Sequence, residues 1–179
     1  NTWLGASRSH AADVWNNCAE CNYRGIESTF PLVLLENFNS PIDSSSALVF
    51  EQLQNSITAS NLIADEEKLF DILGLAKNDF LFELGKFLNK MHNSGIMHGD
   101  LSLDHIHVMI NRKKTKHRLI ISNLSKTKFF RRMKQKERRL DLSCIELPDE
   151  ELKVVVYAYS RGNRKMFQKG WNKIQALRS

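Results

Sequence analysis

Between Asn78 and Asn93, apolar side chains fall at Phe80, Leu84, Phe87 and Met91, with Leu81 and Leu88 beside them. Intervals of four, three and four put them on one stripe of a buried helix. The same period predicts a helix over Ser9–Arg24. There Ser9 is an N-cap, Ala11, Ala12, Trp15, Cys18 and Ala19 form the apolar stripe, and Gly25 is the C′ residue. Two apolar runs, Thr29–Glu36 and Ala47–Leu53, flank a turn-rich loop over Asn37–Ser46 and predict an antiparallel pair of strands. Short helices are expected over Ser56–Ala64 and Glu66–Leu75. After the long helix come two short strands, His105–Ile110 and Arg118–Ser122, joined by a basic hairpin over Asn111–His117. Lys126–Arg139 is basic and partly helical, and Leu140–Leu147 is a short apolar helix stopped by Pro148. Asp149–Tyr159 and Arg164–Leu177 close the chain as helices, the last with Trp171, Ile174 and Leu177 as core positions. The order predicts an α+β fold of one domain.

Composition changes this picture in three respects. No apolar run approaches the roughly 18 residues needed to span a bilayer, and the chain opens on Asn rather than Met, as a trimmed or partial sequence would. Three cysteines make no disulfide framework, so a reducing, cytoplasmic setting is expected. Cys18 and Cys21, spaced as C-x-x-C within a helical pattern and without a second pair, read as core filler rather than zinc or redox ligands. Charge is segregated: residues 1–111 hold six Lys/Arg against fourteen Asp/Glu, while residues 112–139 hold thirteen against one. Such a run is either a solvated face or a surface for anionic lipid headgroups and phosphorylated glycolipid. Nucleic acid is the weakest partner, because only Phe129 and Phe130 interleave aromatics.

Candidate chemistry lies in Met91–Val108, MHNSGIMHGDLSLDHIHV. A helix end, a glycine turn, H-x-D-L and a polar residue five places beyond the aspartate is the order of a protein-kinase-type catalytic loop. One loop must hold a carboxylate near the attacking hydroxyl while a second group reaches the nucleotide side. Asp100 is the first of these and His105 the second. Against this stands a plain polar turn, with Asp100 a helix-end cap and one of His105 and His107 a hydrogen-bonded strand residue.

Taken together, SRSHAADVW with RGIESTFPLVLLE, GIMHGDLSLDHIHV, and LIISNLSKTKFFRRMKQKERRLDLSCIE make the chain resemble the bacterial lipopolysaccharide core kinases, which phosphorylate heptose or Kdo sugars. The resemblance covers nearly the whole chain and implies a protein-kinase-like fold. Residues 1–53 would be a remnant of the small lobe with the hinge, and residues 54–179 a helical large lobe. It implies ATP and Mg2+ as cofactors, a sugar or glycolipid acceptor, and a peripheral place at the inner membrane through residues 112–139. Residue by residue, Asp100 would orient the acceptor and His98 brace the loop. His105 and Asn123 would lie on the metal side, Asp141 would hold the loop in shape, and Glu51, Gln52 and Leu53 would meet adenine. Ser102 stands where protein-directed kinases carry Lys, which favours a small-molecule or sugar acceptor.

The departures are specific. No Gly-rich phosphate loop or phosphate-binding Lys precedes the first helix. Val14, with Asp13 adjacent, lies where an acidic partner of that Lys is expected, and Asn123 replaces a metal-binding Asp. A neutral amide offers an oxygen without the charge that magnesium prefers. The expected activity is therefore sugar phosphorylation, weakened by Asn123. Two alternatives remain at this point: a pseudokinase serving as a binding module, and another small-molecule kinase of the aminoglycoside- or choline-kinase kind.

Overall fold

The computed structural model describes residues 9–38, 44–111 and 117–178. At its centre is helix α4, Lys77–Asn93, whose Phe80, Leu81, Leu84, Leu88 and Met91 have no exposed surface. Each such side chain contributes roughly 1.5–3 kcal/mol of burial free energy. Helix α6, Asp149–Tyr159, crosses α4 closely. Gly85 permits the approach: a Cβ there would stand 2.3 Å from the Val155 carbonyl oxygen and 2.7 Å from Ala158 Cβ.

Helix α1, His10–Tyr23, begins as its sequence predicts, with Ser9 Oγ accepting from the Ala12 amide at 3.1 Å. It ends at Gly25, where φ is +77° and the Ile26 amide reaches back to the Cys21 carbonyl at 3.0 Å. Cys18 and Cys21 are buried, and burial pushes the Cys21 thiol up to about 12, which leaves it unreactive.

Strands β1 (Pro31–Phe38) and β2 (Ser44–Phe50) pair antiparallel with Leu34 opposite Leu48. Their ladder runs further into the expected turn than side-chain polarity suggests, because backbone pairing is indifferent to the serines of an exposed ribbon. Pro41 lies outside the described residues. The pair ends at Phe50, so Glu51–Leu53 is a connection rather than strand.

Ser56–Thr58, expected as the start of a helix, is instead strand β3, pairing with β5 (Ile106–Ile110). Ile57 and Thr58 are β-branched, and the Thr58 side chain caps the shortened helix α2, Ala59–Ile63. Helix α3, Glu66–Leu73, follows and stops at Gly74. Strand β6, His117–Ile121, completes the sheet β3-β5-β6. A third, smaller pair escaped the sequence reading: β4, Ile96–Met97, with β7, Lys128–Phe129.

The expected helix over Leu140–Leu147 is displaced upstream. Helix α5 runs Gln135–Ser143, and the chain leaves it before Pro148, whose ring disfavours helical backbone at Leu147. Helix α7, Arg164–Arg178, buries Trp171 and Ile174, while Leu177 is exposed.

Candidate active site

The polar loop that follows α4 is held by one buried carboxylate. Asp141, on α5, accepts from the backbone amides of His98 and Gly99, both at 2.8 Å, and from His92 Nε2 at 3.0 Å. His92 is completely buried, and burial pushes its imidazole below the ordinary histidine range despite the carboxylate. The neutral ring therefore donates from Nε2, which leaves Nδ1 to accept from the Tyr159 hydroxyl at 2.8 Å. Tyr159 in turn accepts from Arg138 Nη1 at 3.1 Å, and burial raises its hydroxyl to about 12, so it stays a donor. Arg138 also reaches the His92 carbonyl at 3.2 Å and Asn93 Oδ1 at 2.9 Å. Helices α4, α5 and α6 thus converge on the loop through a connected polar chain.

Two histidines join this loop to a second one, Ser122–Ser125, which follows strand β6. His98 Nε2 donates to the Ser122 carbonyl at 2.8 Å, while its Nδ1 faces the Asp100 amide at 3.3 Å. Burial lowers its proton affinity as well, which suits a neutral ring with one donor and one acceptor. His105 lies in a 3₁₀ turn over Leu103–His105 rather than in strand β5, and its ring stacks on that of His98 at 5.6 Å. Its Nδ1 donates to the Asp100 carbonyl at 2.9 Å, which leaves the Nε2 lone pair to accept from Asn123 Nδ2 at 3.0 Å. Asn123 has φ of +54°, a conformation in which Asn is favoured, and opens the turn Leu124–Lys126. One imidazole therefore bridges positions 100 and 123. His107 Nε2 pairs with Ser122 Oγ at 3.0 Å and adds a further link.

The Asp100 side chain is 40% exposed, and its Oδ2 lies 3.3 Å from Lys126 Nζ. Ser122, Asn123, Leu124 and Ser125 form one wall of a cleft of about 460 Å³, whose other walls come from His10, Ala11 and Val14 of α1 and from Leu48 and Phe50 of β2. That volume is in the range of small-ligand sites. Asn17 Nδ2 donates to the Leu124 carbonyl at 2.8 Å and fastens α1 to this wall. Val14 lines the cleft while Asp13 is exposed.

The expected hinge is less direct. Phe50 lines the cleft and Glu51–Leu53 continues from it. The Glu51 amide already donates to the Phe30 carbonyl at 3.0 Å, and the Leu53 carbonyl accepts from Ser56 Oγ at 2.9 Å.

The side chains on the metal side do not match a magnesium ion. Mg2+ favours oxygen ligands in octahedral array, usually with one or two carboxylates. His105 offers a nitrogen and Asn123 a neutral amide, and the two are hydrogen-bonded to each other. The loop carboxylate, Asp100, is paired with Lys126. Among the described residues, no group of three or more His, Cys, Asp or Glu is arranged to hold a metal ion.

The basic stretch is not one uniform surface. Arg118 pairs with Glu27 at 3.0 Å, Lys126 with Asp100, and Arg138 is part of the internal network. Arg131, Arg132, Lys134 and Lys136 are exposed just beyond β7, and residues 112–116 lie outside those described. His92, Arg138, Tyr159 and Lys126 were not singled out from sequence. A signal for His92 did exist, since it continues the buried line Leu81, Gly85, Leu88 along α4 at intervals of four, three and four.

The sequence model of the lipopolysaccharide kinase (Kdo/WaaP) family matches residues 6–173. No curated protein matches the chain. Among solved structures, it resembles one described as WaaP in complex with acyl carrier protein, with a TM-score of 0.65 at 15% identity. The likeness covers 94% of this chain and 77% of that one. At that identity the likeness establishes the kinase-like α+β fold. The acyl carrier protein in that description is a class of partner the sequence reading did not include.

Proposed function

The chain belongs to the lipopolysaccharide kinase (Kdo/WaaP) family, whose chemistry is phosphotransfer, and on that premise we propose that it moves the terminal phosphoryl group of ATP to a sugar hydroxyl of the lipopolysaccharide core or a similar glycolipid. The observation that carries the reading is His105, bonded at once to the Asp100 carbonyl and the Asn123 amide, so that both loops meet beside the cleft. Asp100, partly exposed, accepts the proton of the acceptor hydroxyl as its oxygen attacks phosphorus. His98 keeps Asp100 in position through the backbone, and Asp141 holds the amides of His98 and Gly99. The nucleotide occupies the cleft between α1, β2 and the second loop, with Glu51–Leu53 at its edge.

The division into a small lobe up to Leu53 and a large lobe beyond it belongs to the same proposal. So does a peripheral membrane contact through the exposed Arg131, Arg132, Lys134 and Lys136. Among the described residues, no helix is long and apolar enough to cross a membrane.

The direct test is transfer of isotope from labelled ATP to a Kdo- or heptose-bearing core oligosaccharide, comparing the intact protein with Asp100→Ala. Loss of transfer in the variant supports the reading, and equal rates remove Asp100 from the chemistry. Equal binding to neutral and anionic vesicles would remove the membrane contact. A second reading, nucleotide binding with weak transfer, is favoured by the neutral amide at Asn123. It predicts nucleotide-dependent thermal stabilisation without detectable phosphorylated sugar.

A further inference from the structure

Within the phosphotransferase reading, on which this step rests, the geometry points to Lys126 as the cation that holds the terminal phosphoryl group of the nucleotide and positions it for the acceptor at Asp100. Its ammonium stands 3.3 Å from Asp100 Oδ2, and among the described residues it is the one cation that pairs with that carboxylate. With the Lys126 side chain 64% exposed, the contact is too open to solvent to serve mainly as a brace for the fold.

The backbone beneath that side chain is, by contrast, tightly held. Lys126 closes the 3₁₀ turn that Asn123 opens. Its carbonyl packs on Gly99, where a Cβ would approach to 2.4 Å and where φ is +80°. The next residue, Thr127, donates from Oγ1 to the His98 carbonyl at 3.3 Å, and β7 then pairs with β4. A fixed Cα with a free four-carbon stem suits a point charge that must reach a phosphate without disturbing its loop.

Charge balance requires such a group. Both ring nitrogens of His98 and of His105 are engaged within the two loops, Asn123 offers a neutral amide, and the Asp100 carboxylate has Lys126 as its ion-pair partner. Among the described residues that line the cleft wall at Asn123–Ser125, no Lys or Arg side chain offsets the charge of an entering phosphate. Lys126, adjoining that wall and touching Asp100, supplies it. In the step itself the acceptor oxygen forms a bond to the γ-phosphorus and the bond to the β-phosphate oxygen breaks. ADP leaves with that electron pair, and the hydroxyl proton passes to Asp100. Lys126 exchanges no proton; it shifts its contact from the carboxylate to the phosphoryl oxygens.

The test is calorimetric titration of the intact protein with ATP and with ADP, in the presence of EDTA, for the wild type, Lys126→Ala and Lys126→Arg. Lys126→Ala is expected to weaken ATP roughly 10- to 100-fold, as loss of a charge-assisted contact does, and to leave ADP unchanged. Lys126→Arg restores most of the ATP affinity. In transfer to Kdo-bearing lipid A, Lys126→Ala lowers kcat while KM for the lipid is unchanged. An ATP-to-ADP preference equal in the wild type and Lys126→Ala overturns the assignment. If the wild type nonetheless transfers phosphate, that result removes Lys126 alone. A wild type that binds neither nucleotide, in EDTA or with added Mg2+, and transfers no phosphate overturns the phosphotransferase reading and Lys126 with it.

Discussion

Replacing Asp141 with Asn tests whether the buried polar chain positions the loop that carries His98, Gly99 and Asp100. In the wild type, Oδ2 accepts from the His98 amide at 2.8 Å and from His92 Nε2 at 3.0 Å, and Oδ1 accepts from the Gly99 amide at 2.8 Å. An amide has one oxygen. In its better orientation that oxygen serves His98 and His92, and the NH2 group confronts the Gly99 N–H. One charge-assisted bond is lost and two donors face each other where the wild type has a fully buried side chain. The expected cost of Asp141→Asn is about 2–3 kcal/mol. Asp141→Ala, which orphans all three donors, is expected to cost about 3–5 kcal/mol. For a chain of this length that shift lowers Tm by roughly 6–20 °C. Urea denaturation at neutral pH measures it, and a double-mutant cycle with His92→Asn isolates the shared bond, with an expected coupling of at least about 1 kcal/mol. A change under about 0.5 kcal/mol for Asp141→Asn, with the m-value unchanged, would refute the claim that this carboxylate secures the loop.

Further outcomes follow from the same geometry. Gly85→Ala forces a methyl against the Val155 carbonyl and Ala158 at the α4–α6 crossing and should cost about 1–3 kcal/mol, read as a lower urea midpoint. Burial lowers the proton affinity of His92, His98 and His107 in the folded state. The unfolded chain therefore binds more protons below about pH 6.5, and stability should fall as pH drops through that value, by at most about 1.4 kcal/mol per pH unit for each histidine. His92→Gln should flatten the slope, and a pH-independent urea midpoint between mildly acidic and neutral buffer would contradict the burial argument. Asn123→Asp turns the donor facing His105 Nε2 into an acceptor, so that two acceptors can share a cation. Mn2+ binding, followed by paramagnetic relaxation of water protons, should rise, and an unchanged titration would show that the pair does not face a cation site.

What the sequence made legible was whatever is encoded by spacing along one segment. Asp100 and His105 share a loop, and their relation to Asn123 follows once a strand hairpin returns the chain. The stripe on α4 and the Ser9 and Gly25 signals of α1 are local in the same way. Less legible were features that depend on a distant partner. Ser56–Thr58 is a strand because β5 is available to pair with it, and β4 and β7 are two residues each, too short to show a period. Helix α5 starts earlier than its apolar residues suggest, because its buried positions, Asp141 and Leu142, lie near its end, while its first turns are basic and look like surface. Arg138 sits in a run whose sequence suggests a surface, yet its guanidinium reaches Tyr159, the His92 carbonyl and Asn93. Nothing in the spacing of RRMKQKERRL distinguishes it from its neighbours.

That hidden arginine bears on how the site can work with a poor set of metal ligands. Hydrogen bonds run from Arg138 through Tyr159 and His92 to Asp141, then into the amides of His98 and Gly99. From there the His98 ring reaches the Ser122 carbonyl, one residue before Asn123. Both loops are therefore oriented by helices of the core, and no ion is needed to bring them together. Phosphotransfer demands position and charge separately. Here position comes from donors and acceptors gathered on the buried Asp141 carboxylate and shielded from solvent ions, whereas charge, on the proposal for Lys126, rests on an exposed lysine that salt screens. Raising ionic strength should consequently weaken nucleotide binding well before it lowers the urea midpoint. Parallel loss of both would mean that the two roles are not divided between core and surface in this way.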